Sequence, residues 1–273
     1  MPGKAAPVLA FTTDFGESDA YVASMKGVAL SLCPRARLVD VTHGIEPGDL
    51  LGAALVLEEA RGWFPRGTVH VVVVDPGVGT DRRALAARAG GQVFVGPDNG
   101  VLWPAIAADA KASVRAIESR AFTLERISAT FHGRDVFAPA AARLAAGRRF
   151  ESVGPTVEAP VRLEGFFPGR RGGALHGAVL RADRFGNLVT SVREADLQAA
   201  FGDVPFPTLD IRLGGRTVDE TARTYGLAPP GVPFALLGSG GRLEVAVRGG
   251  SAAAVLDARR GTTVTVARRG GRR

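Results

Sequence analysis

The stretch TVHVVVVDPGVGTDRR, Thr68 to Arg83, decides the architecture. Its first half is an apolar run rich in β-branched valine, the pattern of a strand covered on both faces. Its second half is a turn of proline and glycines that brings Arg82 back toward the carboxylate of Asp75, where the strand ends. A strand covered on both faces belongs in a sheet with helices on either side. Upstream, VLAFTTD (Val8 to Asp14) reads as a strand, DAYVASMKGVALSL (Asp19 to Leu32) as an amphipathic helix, ARLVDVTH (Ala36 to His43) as a strand and DLLGAALVLEEARGWF (Asp49 to Phe64) as a helix. This β-α-β-α-β order predicts an α/β domain with a mainly parallel sheet sandwiched by helices and joined by right-handed crossovers. Downstream, ALAARAGGQVFVGPDNG offers two short strands around a Gly-Gly turn, and RDVFAPAAARLAAG (Arg134 to Gly147) reads as a helix despite Pro139.

The texture changes after about Phe150. Prolines and glycines crowd the segment VGPTVEAPVRLEGFFPGRRGG, which reads as a linker. Beyond it, ALHGAVLRAD, NLVTSV, TLDIRL, FALLGS, RLEVAV and TTVTVA are short strands separated by turns, with helical signals only near READLQAAF and GSAAAVL. A small antiparallel barrel or sandwich fits this pattern. The expected division is therefore a domain over residues 1–160 and a second over 174–273.

Composition narrows the function classes. The chain has 273 residues and is 46% hydrophobic, enough for substantial cores. No window approaches the roughly 18 uninterrupted apolar residues of a membrane span, and the first residues lack the pattern of a secretory leader, so a cytoplasmic location is expected. Cys33 is the single cysteine and there are four histidines. That rules out a disulfide framework and argues against a structural zinc site; Cys33 itself reads as a small buried hydrophobe. The net charge of +7 would suit nucleic acid, but apart from GRRF, GRRGG and the terminal ARRGGRR the arginines are thinly spread, which argues against such a partner.

In parallel α/β sheets ligands bind beyond the carboxyl ends of the strands. Three polar clusters fall there: Asp14 after the first strand, DVTHG after the second, Asp75 after the third. A turn cap or a salt bridge would explain any one of them. DPGVGTDRR lacks the lysine and spacing of a phosphate-binding loop and leads into no helix, so nucleotide phosphate binding is not supported. ATFHGRDVFAPAAA places Phe131 and His132 before a helix start. RADRFGNLVTS sets Asp183, Phe185 and Asn187 around a glycine turn that a plain hairpin tip would also explain.

Together FTTDFGESDAYVASMKG, VDVTHGIEPGDLLGAALVL, FPRGTVHVVVVDPGVGTDRRALA, VGPDNGVL, TFHGRDVFAPAAA, DRFGNLVTS and GSGGRLEVAV resemble, in order and across both proposed domains, the S-adenosyl-L-methionine (SAM) hydroxide adenosyltransferases, relatives of the SAM-dependent fluorinase and chlorinase. The resemblance implies an α/β domain followed by a smaller β-barrel, and a homotrimer in which SAM lies between one subunit's first domain and its neighbour's second. It implies SAM hydrolysis to adenosine and L-methionine, with SAM as substrate and no separate cofactor or metal. The family's Asp, Arg and His fall on Asp75, Arg82 and His132, which would fix and polarise the attacking water. Asp14 matches the carboxylate that grips the ribose diol; Asp19, Tyr21 and Phe131 fall in first-domain substrate segments. Asp183, Phe185 and Asn187 match the turn contributed by the neighbour, and Ser239, Glu244 and Val247 match positions beside methionine and adenine. Arg248 departs from the smaller polar residue expected near the adenine. The halogenating relatives carry Tyr where this chain has Asp75, and a carboxylate beside a halide would repel it. A SAM-binding protein without turnover and a nucleic-acid-binding barrel led by the basic tail are the other readings.

Overall fold

The computed structural model describes residues 5–269, and the chain divides into two compact units, Met1–Leu163 and Glu164–Arg273. The last arginines of the basic tail, beyond Arg269, lie outside the described residues. No helix among the described residues is long and apolar enough to cross a membrane.

The first unit runs β1 (Val8–Thr13), α1 (Tyr21–Leu32), β2 (Arg37–Thr42), α2 (Leu50–Arg61), β3 (Val69–Val73), β4 (Ala84–Ala89), β5 (Gln92–Pro97), α3 (Trp103–Ala107), β6 (Ser113–Ala116) and α4 (Ala138–Ala145). Its six strands are ordered β2-β1-β3-β5-β4-β6. β2, β1, β3 and β5 pair in parallel, whereas β4 pairs antiparallel with both β5 and β6, so the sheet is mixed. The antiparallel half follows from the Gly90-Gly91 turn, since both residues have positive φ and a two-residue turn can join only antiparallel neighbours. The sheet has helices on both faces. Val69, Val71 and Val73 pack with Met25, Ala29 and the α4 residues Ala138 and Ala141 on one side, while Val72 and Val74 join Ala53, Leu57 and Ala105 on the other. This is the period-2 alternation of a fully covered strand. β2, at the edge, departs from the continuous burial expected: Arg37, Val39 and Asp40 are exposed.

β3 also buries His70, stacked 5.0 Å from Phe94, and burial pushes its pKa down to about 4. The imidazole is therefore a neutral core residue at physiological pH.

One expected helix starts differently. Gly133–Phe137 is a π-helical turn that runs into α4. Pro139 has no N–H to return to the Asp135 carbonyl, and that carbonyl accepts instead from Leu124 N at 2.9 Å. The Asp135 carboxylate, 1% exposed, accepts from Ser128 N at 2.8 Å and Arg134 Nε at 2.6 Å, which ties the 124–128 loop to the helix start.

The second unit contains β7 (Gly169–Arg171), β8 (Ala174–Ala182), β9 (Leu188–Arg193), α5 (Glu194–Phe201), β10 (Leu209–Leu213), β11 (Arg216–Thr217), β12 (Glu220–Thr221), β13 (Pro233–Leu237), β14 (Arg242–Val247), α6 (Ala252–Leu256) and β15 (Thr263–Arg268). They form one mostly antiparallel sheet ordered β11-β10-β15-β8-β9-β14-β13-β12, with β7 on β8. Leu175, Leu188, Ile211, Leu243, Val245 and Val264 fill its core. Among the described residues no ladder joins β11 to β12, so the sheet is an open one rather than a closed barrel.

Candidate active site

Register places the polar clusters on one rim. Thr13 of β1 lies opposite Val73 of β3 and Thr12 opposite Thr42 of β2, so Asp14, His43 and Asp75 all leave adjacent strands at the same end of the sheet.

From Asp75 the chain folds back through short turns: Val78 N donates to Asp75 O at 3.1 Å, and Thr80 Oγ1 to Gly77 O at 2.7 Å. Gly79 has φ +80, and any side chain there would run into the carbonyl of Ala129. Glycine is thus what lets this loop lie against the segment leading to His132. The result is a connected trio. Arg82 Nε donates to Asp75 Oδ1 at 2.9 Å and Oδ2 at 3.1 Å. Arg82 Nη2 donates to Asp75 Oδ2 and, at 2.7 Å, to His132 Nδ1. The side chains of Arg82 and Asp75 are only 10% and 6% exposed, and the guanidinium lies 5.2 Å from the Phe137 ring centre. Charge-assisted bonds in so shielded a place are strong and directional.

Arginine only donates, so His132 Nδ1 accepts and a neutral ring carries its proton on Nε2. Burial and the Arg82 charge lower the His132 pKa from its usual 6.5, against the opposing pull of Asp75 and Asp135. The ring is neutral at pH 7. The adjacent Arg83 turns the other way, donating to Asp98 Oδ2 at 2.7 Å, while Asp98 Oδ1 accepts from Val161 N at 2.8 Å. That second pair braces the loop.

Asp14 Oδ2 accepts from Gly48 N at 2.9 Å, which orients the carboxylate and leaves Oδ1 for a ligand. Phe15, Tyr21 and Phe131 form an aromatic cluster with ring centres 5.1 to 6.0 Å apart, linking the Asp14 loop, the start of α1 and the His132 segment. A side chain on Gly133 would press on Met25, Phe131 and Phe15, so this glycine keeps the cluster closed. Asp19 lies exposed in the bend ahead of α1. The first unit thus brings Asp75, Arg82 and His132 into contact, and Phe131 and Tyr21 together beside Asp14.

In the second unit, Asp183, Phe185, Asn187 and Val247 line a cavity of about 570 Å³. Asp183 organises its own turn: Oδ1 accepts from Phe185 N and Asn187 N at 2.8 and 2.9 Å, and Oδ2 from Asn187 Nδ2 at 2.9 Å. Gly186 has φ +80 and abuts Ser251, and Phe185 is left 74% exposed at the cavity. Ser239 lies in the exposed β13–β14 turn. Glu244 lies over Gly238 and accepts from Tyr225 Oη at 2.7 Å. Tyr225, which no sequence motif singled out, lines the cavity, as does Arg248, whose Nη1 donates to Ala228 O at 3.2 Å.

Residues 9–154 match the model of the SAM hydroxide adenosyltransferase N-terminal domain, and residues 177–265 that of the C-terminal domain. The chain is 42% identical over 254 residues to an (R)-S-adenosyl-L-methionine hydrolase of Salinispora arenicola, covering 92% of this chain and 94% of that one. A fluorinase of an Actinoplanes species is 30% identical over 227 residues, 73% of this chain and 76% of that one. The crystal structure of an uncharacterized conserved protein from Thermotoga maritima superimposes with a TM-score of 0.84 at 35% identity, covering 95% of this chain and all of that one.

Proposed function

The chain belongs to the SAM hydroxide adenosyltransferase family, and from that premise we infer that it hydrolyses S-adenosyl-L-methionine to adenosine and L-methionine. The observation that carries the reading is the hydrogen-bonded cluster of Asp75, Arg82 and His132 on the strand-end rim. Water attacks ribose C5′ in line with the C–S bond. As the C5′–O bond forms, the C5′–S bond breaks and its electron pair stays on sulfur, which departs as the neutral thioether of methionine. Such a leaving group needs no proton, so catalysis rests on placing the water and accepting the proton it gives up.

The hydrogen-bond roles distribute that work. Arg82 offers only donors, and the Nδ1 of His132 is occupied by Arg82. The lone pairs open to water in this cluster are those of Asp75. Asp75 therefore accepts the water's proton, and the Nε2–H of His132 donates to the water oxygen and aims its lone pair at C5′. Arg82 holds both partners in place. Asp14, steadied by Gly48, receives the ribose hydroxyls, with Asp19, Tyr21 and Phe131 toward the methionine portion.

Phe185 and Asn187, held by Asp183, face the adenine from a neighbouring subunit of a homotrimer, with Ser239, Glu244 and Val247 completing that half. The open second sheet is the counterpart of the family's barrel. SAM is the substrate, and no cofactor enters. The single cysteine suits a reducing cytoplasm. Because the S. arenicola relative's name specifies the (R) sulfonium epimer, that epimer is the expected substrate.

The test is to incubate the protein with each sulfonium epimer and follow products by chromatography. Equimolar adenosine and methionine from the (R) epimer are expected. Tight binding without turnover would reduce the protein to a sensor, and a 5′-halogenated nucleoside in chloride or fluoride would move it to the halogenase branch.

A further inference from the structure

The DVTHG segment is the third polar cluster on the rim, and neither the water-activating trio nor the ribose carboxylate uses it. It forms a chain of hydrogen bonds running from the protein's edge to the loop that carries Asp14. Lys26 Nζ on α1 donates to Asp40 Oδ2 at 2.6 Å. Asp40 Oδ1 lies 3.0 Å from His43 Nε2, and His43 Nδ1 lies 2.8 Å from Thr13 Oγ1. Thr13 Oγ1 in turn accepts from Phe15 N at 3.3 Å. A carboxylate only accepts, so His43 Nε2 donates to Asp40; in the tautomer whose one proton sits there, Nδ1 accepts and Thr13 donates its O–H to it. Thr13 and Phe15 flank Asp14 on either side. A backbone bond from Gly16 N to His43 O at 2.9 Å ties the same two loops again.

The order hydroxyl, imidazole, carboxylate is that of a nucleophilic triad, but Thr13 is 0% exposed and His43 only 5%, so no substrate can reach the hydroxyl. The geometry points to a positioning relay instead: we propose that Lys26, Asp40 and His43 act through Thr13 to set the angle at which Asp14 meets the ribose diol. Each member constrains the next. Lys26 fixes the Asp40 carboxylate, which fixes the ring orientation and tautomer of His43. The ring then directs the Thr13 hydroxyl so that its lone pair faces the Phe15 amide. The same logic governs partners that orient a ligating group without touching its ligand.

The inference rests on Asp14 as the ribose ligand, so the test separates the two. Thr13→Val keeps the shape of the buried side chain and removes the relay's last link. Asp40→Asn acts at the other end, where the side chain is 44% exposed and folding is not at risk. Steady-state kinetics are measured with SAM and with its 2′-deoxy analogue. With SAM, Thr13→Val should raise KM about tenfold, the loss of roughly one hydrogen bond, with kcat within about twofold. Asp40→Asn should act in the same direction by about two- to threefold. With the 2′-deoxy analogue both penalties should largely vanish, because the contact that the relay aims is already missing. Thr13→Ser, which keeps the hydroxyl, should restore the parent KM. Equal penalties for both substrates, or no penalty with SAM, would overturn the relay while leaving Asp14 in place. If Asp14→Ala keeps the parent's full preference for the 2′-hydroxyl, the ribose reading fails and the relay falls with it.

Discussion

The rim of the first unit and the hairpin turn of the second both gather carboxylates and glycines around a loop, yet they are built for different tasks. At the rim, Asp75 and Arg82 meet His132 from 50 residues or more away in the chain and satisfy one another behind little solvent exposure. At the turn, Asp183 bonds, among the described residues, only with groups within four residues of itself and leaves Phe185 bare. Pre-organised, shielded charge suits bond-breaking, because its donors and acceptors need not reorganise as the reaction proceeds. An exposed ring on a locally rigid turn suits recognition, since it offers a stacking face at little cost in ordering.

That contrast breaks most visibly at Asp75. Asp75→Asn removes the proposed proton acceptor while keeping most of the shape, so kcat should fall by roughly 10² to 10⁴, with KM nearly unchanged in steady-state assays. Comparable losses in both would make Asp75 a binding residue and erase the distinction. Arg82→Lys comes next. An ammonium cannot hold Asp75 through two nitrogens and also reach His132, and losing one charged hydrogen bond, about 1.5–3 kcal/mol, lowers kcat roughly 10- to 150-fold. An activity within threefold of the parent would show that the fork is dispensable.

Phe185→Ala probes the turn. Loss of one aromatic stacking face, worth about 1–3 kcal/mol, should raise KM by about tenfold and leave kcat within about threefold. A collapse of kcat with an unchanged KM would place Phe185 in the chemistry.

Two smaller effects concern two histidines of the first unit whose pKa burial lowers. His132 must be neutral to accept from Arg82, and its pKa lies below the usual 6.5. Activity is therefore full above that lowered value and is lost as pH falls through it, so the midpoint of the acid limb in a pH–rate profile should lie below 6.5. Asp75 pulls the His132 pKa upward, so in Asp75→Asn the residual activity should bend at a still lower pH. A midpoint at or above 6.5 contradicts the assignment. Beneath the rim, His70 takes up its proton at about pH 4 in the folded chain and at the ordinary 6.5 when unfolded. The unfolded state thus binds more protons between these values, and stability should decline as pH falls from 6.5 to 4. Urea denaturation at stepped pH should show a shallower decline in His70→Leu; identical slopes would remove His70 from the account.

Much of the frame is readable in the residues. The valine run of β3, the helix patterns of α1 and α2, and the change of texture after Phe150 each follow from local periodicity. β6 does not, because its four residues, SVRA, are too few to display a period. The π turn at Gly133–Phe137 was also hidden: Pro139 announces a disturbed helix but not which carbonyl is diverted or to what. At the site, the nearness of Asp75 and Arg82 could be inferred from a short glycine turn, whereas His132 joins them through tertiary packing and was legible only through the family resemblance. The Thr13–His43 contact depends on the register of β1 against β2, which DVTHG alone does not disclose. Tyr225 sits in a turn with no motif, and only the folded chain brings it to the cavity.

The central claim is that the trio directs water to C5′, and isotope labelling tests it most directly. Turnover of SAM in ¹⁸O-enriched water, followed by mass spectrometry of both products, should place one ¹⁸O in the 5′-hydroxyl of adenosine and none in methionine. Adenosine formed without label, or label carried in methionine, would contradict attack by water at C5′.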